Sequence, residues 1–112
     1  MTRLLSIMRE IDFPFAYHHF AEGESPSPPF LVFLAPASSN FAADGKTYFK
    51  ANEVHIELYT DYKNPSVEEK VEAVLDRHGI FYNKTETFIE SEKLYETLYI
   101  FEMEVTENGK QG

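Results

Sequence analysis

The sequence predicts an α/β domain of the α+β kind: a single, mostly antiparallel sheet of about five strands with two helices packed on one face. Three observations lead there. The first is a strand feeding a helix between Lys46 and Gly79. In its strand half, Val54, Ile56 and Leu58 alternate with Glu53, His55 and Glu57, the period of two that marks a half-buried strand. In its helix half, Val67, Val71, Val74, Leu75 and His78 form one apolar stripe at helical spacing. The second observation is the unbroken apolar run Phe30–Ala35, bounded by prolines, which reads as a central strand buried on both faces. The third is aromatic usage, with ten Phe and seven Tyr, residue types that strands favour.

Taken in order, Leu4, Met8 and Ile11 predict a short N-terminal helix, ended by Phe13-Pro14 because a residue before proline disfavours helix. Phe15–Phe20 predicts a short strand, and Glu22–Pro29 a loop of turn formers. The strand Phe30–Ala35 is expected to stop at Pro36. Asp44-Gly45 is a tight-turn signal, flanked by Phe41-Ala-Ala43 and Lys46-Thr-Tyr48, and predicts a β-arm that projects beyond the domain. Phe41, Tyr48 and Phe49 are more aromatic surface than a thin arm can bury. They either fold back on the core or are buried by a neighbouring subunit. The strand then runs to Thr60. The main helix has Asn64 as N-cap, Pro65 at its first position and Gly79 at its C-terminal end. A strand from Ile80 to Ile89, a polar turn at Glu90–Lys93 and a last strand from Tyr95 to Val105 complete the chain. The order is α-β-β-β-α-β-β. Residues 1–105 read as one domain, and residues 106–112 as a flexible polar tail.

Composition narrows the function classes. The chain has 112 residues, 43% of them hydrophobic, enough for one modest core. It has no cysteine, which removes disulfides, zinc–thiolate sites and thiol nucleophiles. No run approaches the roughly 20 apolar residues that span a bilayer, and the N-terminus, with Arg3, Arg9 and Glu10, predicts no signal peptide. Ten basic against nineteen acidic side chains give a net charge of −9. Such a surface repels phosphate backbones, so gripping nucleic acid is disfavoured.

The residues that carry chemistry are few. His18 and His19 are neighbours on an expected strand, so their side chains should point to opposite faces and not share a metal. His55 and Glu57 lie on one strand face and could share one, but nothing marks a third ligand. His78 sits where a helix C-terminus favours a cation. Glu69, Glu72 and Asp76 are expected on the solvated side of the helix. No serine stands in a nucleophile elbow and no glycine-rich phosphate loop occurs. The sequence therefore predicts no enzyme, no catalytic residue, no metal and no cofactor.

Four stretches, Asn40-Phe-Ala-Ala-Asp-Gly-Lys-Thr-Tyr48, His55-Ile-Glu-Leu-Tyr-Thr60, Glu68-Glu-Lys-Val-Glu-Ala-Val-Leu75 and Lys84-Thr-Glu-Thr-Phe-Ile-Glu-Ser-Glu-Lys-Leu-Tyr95, resemble the phage tail terminator family. These are tail completion or head–tail joining proteins of prophages and long-tailed phages of Gram-positive bacteria. The resemblance runs from about Phe15 to Val105. It implies a structural virion protein with a small α/β fold, assembled as a homo-oligomeric, hexameric ring on the head-proximal end of the tail tube. That ring would stop tube growth and dock the head–tail connector. Its implied partners are the tail tube protein and the connector, with DNA as passing cargo and no membrane. Its implied location is the host cytoplasm during assembly and then the virion. On this reading Phe41, Asp44, Tyr48 and Phe49 are oligomer-interface residues. The alternatives are another head–tail connector or minor tail protein, or a small acidic phage regulator that inhibits a host protein.

Overall fold

The computed structural model describes residues 2–38 and 51–104. Its elements are α1 (Thr2–Ile11), β1 (Phe15–Tyr17), β2 (Phe30–Ser38), β3 (Ala51–Thr60), α2 (Pro65–Arg77), β4 (Asn83–Ile89) and β5 (Leu94–Glu104). They build one five-stranded sheet in the order β1-β2-β3-β5-β4. Only β1 and β2 pair in parallel among the described strands. The α+β architecture is the one that the sequence predicts.

The alternation in β3 decides which side of the sheet is the core. Val54, Ile56 and Leu58 are fully buried and join Leu31 and Phe33 of β2 and Tyr99, Phe101 and Met103 of β5. Over this face lie Leu4, Ile7, Met8 and Ile11 of α1 and Val71, Val74 and Leu75 of α2. Both helices are thus amphipathic elements closing one side of one sheet.

α2 is bounded by local chemistry. The Asn64 carboxamide oxygen accepts a hydrogen bond from the Val67 amide at 3.4 Å, and Pro65 opens the helix. At the other end Gly79 adopts φ +70°. There the Gly79 amide donates to the Asp76 carbonyl at 2.9 Å and the Ile80 amide to the Leu75 carbonyl at 3.0 Å. This pair of bonds is a Schellman stop. It spends Ile80 on closing the helix, and Ile80 and Tyr82 pack against the core. The expected strand from Ile80 therefore starts three residues later, at Asn83.

Two other boundaries differ from expectation. Pro36 does not end β2, which runs to Ser38. The register shifts between Leu34, opposite His55, and Ala37, opposite Glu53. Ala35 and Pro36 thus share one partner position, and this bulge accommodates a proline that has no N–H to give the ladder. The strand expected over Phe15–Phe20 ends at Tyr17 because His18 takes φ +73°, outside the extended region.

β5 pairs with β3 along its whole length, from Thr60–Tyr95 to Ala51–Glu104. β4 covers only Leu94–Ile100 on its other side. Past Ile100, β5 is therefore an edge on that side among the described residues. The β-arm residues Phe41, Asp44, Tyr48 and Phe49, and the tail 106–112, lie outside the described residues.

Candidate functional site

The side of the sheet opposite the helices carries an unusual mixture. Strand alternation places Phe30, Val32 and Leu34 of β2 there, beside Glu53, His55, Glu57 and Tyr59 of β3 and Glu96, Leu98, Ile100 and Glu102 of β5. Across it the rows read Phe30–Tyr59–Glu96, Val32–Glu57–Leu98 and Leu34–His55–Ile100. One end has its own cover. Phe20, from the loop after β1, meets Phe30 edge-on at 5.4 Å, and Phe30 stacks on Tyr59 at 5.1 Å. The run Phe30–Phe33 is thereby buried on both faces within the chain. Leu34, Leu98 and Ile100 remain half-buried, under no helix among the described residues.

The polar groups on this face pair with one another. His55 Nε2 lies 2.6 Å from Glu53 Oε2, so His55 engages Glu53 and not Glu57, the partner that its spacing suggests. Glu57 instead accepts a hydrogen bond from the Tyr59 hydroxyl at 2.9 Å, and Glu96 stands 3.4 Å from the same hydroxyl. Burial and the neighbouring Glu57 charge push the Glu96 carboxyl above the usual carboxylate range, against the Tyr59 hydrogen bond. Burial and Glu57 likewise raise the Tyr59 hydroxyl, which stays protonated.

The helix side treats its acids differently. Glu68, in the first turn of α2, is 4% exposed, with Lys63 at 2.8 Å and Lys84 at 2.9 Å. Glu72 is also drawn inward from the expected solvated side: Lys84 lies 2.6 Å from its carboxylate and the Tyr99 hydroxyl donates to it at 2.9 Å. Burial alone would raise the Glu68 carboxyl, but the hydrogen bonds from Lys63 and Lys84 outweigh it and hold the group below the usual range. His78 and Arg77 both reach Glu10, at 3.1 and 3.0 Å, and tie the end of α2 to α1.

The histidine neighbours break the expected rule. The positive φ of His18 turns the chain out of the strand, and the two rings meet edge-on with Nδ1 atoms 3.1 Å apart. They border a cleft of about 280 Å³ on the open face that Ser25, Glu57, Tyr59 and Glu92 also line. A second cleft, of about 580 Å³, lies where β5 outruns β4 and is bordered by Arg3, His78, Phe81, Asn83, Glu102 and Met103. Phe81 at its rim is 96% exposed, a feature hidden in the sequence because the residue sits in an apparent strand. Among the described residues no three His, Asp or Glu side chains converge at metal-binding distance. No helix among them is long and apolar enough to cross a membrane.

No protein-family model and no curated protein matches the chain.

Proposed function

We propose that the chain is a structural assembly protein of a long-tailed phage, a tail terminator that rings the head-proximal end of the tail tube, stops its growth and docks the head–tail connector. The observation that carries this reading is the resemblance of the four stretches between Asn40 and Tyr95. Surface chemistry supports it. A subunit of a ring needs apolar surface for its neighbours, and Leu34, Leu98, Ile100 and the rim residue Phe81 supply such surface. A net charge of −9 suits a ring through which a DNA duplex slides without sticking. Capping a polymer is a matter of fit and needs no catalytic group. Deleting the gene from its phage should leave filled heads unjoined to tails, with tubes of uncontrolled length, by electron microscopy of induced lysates. Joined particles of normal length in the deletion strain would end this reading.

One observation favours a second reading. The carboxylates of Glu53, Glu57, Glu96 and Glu102 lie on one sheet face, as on an acidic regulator that occupies the basic surface of a host protein. Mass spectrometry of purified virions separates the two, because a terminator is a stoichiometric virion component and a regulator is absent from particles.

A further inference from the structure

We propose that His18 and His19 form a chelating site for a divalent transition-metal cation of the copper(II) or nickel(II) class, at the mouth of the cleft on the open face. Neighbouring residues on a strand point to opposite sides. Here the left-handed backbone at His18 cancels that alternation, and the two Nδ1 atoms approach to 3.1 Å. Without a cation the contact is a hydrogen bond: one ring holds its proton on Nδ1 and the other accepts. When the donor ring carries its proton on Nε2 instead, both Nδ1 lone pairs are free for a common cation, and both rings stay neutral.

The separation is within the span of two ligands on one cation. Two nitrogens about 2.1 Å from one metal stand about 3.0 Å apart at a right angle and about 3.4 Å apart at the tetrahedral angle. The observed 3.1 Å falls between the two, and among divalent ions that imidazole binds, affinity rises through nickel(II) to copper(II) and falls again at zinc. Imidazole nitrogen also discriminates against magnesium and calcium, which take oxygen ligands. The same cleft is lined by two acidic residues, Glu57 and Glu92, with Ser25 and Tyr59 beside them. Its wall is therefore anionic and favours a cation at its mouth. The pair supplies two ligands and water fills the remaining positions.

The test is calorimetric titration of the full chain, with no added histidines, near neutral pH with nickel(II), copper(II), zinc(II) and magnesium. One nickel or copper per chain is expected, with weaker zinc and no magnesium binding. The variants are His19→Gln and His18→Asn, the latter chosen because asparagine tolerates the left-handed backbone. Each should weaken nickel binding by more than about tenfold, since losing a ligand costs at least as much as losing a group behind one. His55→Gln and His78→Gln should bind as the parent does. In the unaltered chain, paramagnetic nickel should broaden the His18 and His19 ring signals first, which locates the site without any substitution. Absence of stoichiometric binding, binding that survives both His18→Asn and His19→Gln, or broadening centred on His55 or His78 would each overturn the assignment.

Discussion

On the helix side of the sheet, Glu68 lies between two ammonium groups, with Lys63 at 2.8 Å and Lys84 at 2.9 Å. On the other side, Glu96 lies within reach of a neutral donor, the Tyr59 hydroxyl at 3.4 Å, and beside the charge of Glu57. Glu68 is buried and Glu96 half-buried, and on each the loss of water pushes the carboxyl pKa up. On the helix side paired cations reverse that push, and on the open side a like charge adds to it. The difference shows what each face is built for. A face completed within the chain balances its buried charges, because an uncompensated one is costly. The open face instead keeps Glu96 beside the charge of Glu57, next to half-buried Leu98 and Ile100, and on the function proposed above such a face would meet another molecule.

The largest effect that sharpens this contrast is apolar truncation. Ile56→Ala opens a cavity beneath both helices and should cost about 2–5 kcal/mol. Leu98→Ala, on the open face, should cost about 1 kcal/mol because water already reaches that side chain. Urea unfolding of the two variants reads the difference directly, and equal costs would mean that the open face is as closed as the core. Next in size is the pair Glu68→Gln and Glu96→Gln at neutral pH. The first leaves two lysines facing a neutral amide and should cost about 1–3 kcal/mol. The second removes a carboxylate that the fold holds beside another and should gain about 0.5 kcal/mol. Effects of the same sign would break the comparison.

Part of this contrast is legible in the sequence. The apolar stripes of α1 and α2, the Asn64 cap and the Gly79 stop all act through neighbours a few residues away, so periodicity and local chemistry suffice to find them. The alternation of β3 also identifies its buried side. What periodicity misses is cross-element pairing. Lys84 reaches Glu68 and Glu72 only because β4 lies beside α2. Its presence turns an apparently solvated helix face into a partly buried network around Glu68. The approach of Tyr59 to Glu96 needs the β3–β5 register. The His18–His19 contact depends on one backbone angle that breaks the strand rule used to dismiss it. Even the span of β2 is set by a bulge that lets Pro36 stay in the sheet. Each is a tertiary decision taken against a sound local expectation.

The smallest expected effect is also the most specific, because it concerns the slope of stability with pH and not its size. A carboxyl whose folded pKa is lowered adds stability above the unfolded value, near 4.3, and loses it as pH falls through the folded value. Glu68 is such a group. A carboxyl whose folded pKa is raised does the reverse, adding stability at low pH that is lost as pH rises through its folded value, and Glu96 is such a group. In the unaltered chain the two partly cancel on the acid side. Glu68→Gln should therefore lose stability less steeply than the parent as pH drops from neutrality into the carboxylate range. Glu96→Gln should lose it more steeply, so that its neutral-pH advantage shrinks to nothing once Glu96 of the parent is protonated. Urea midpoints followed by circular dichroism at a series of pH values test both slopes. Parallel curves for Glu96→Gln and the parent would show that Glu96 shares no charge repulsion with Glu57, and the open face would then be a solvated surface in balance with water instead of one held ready for a partner.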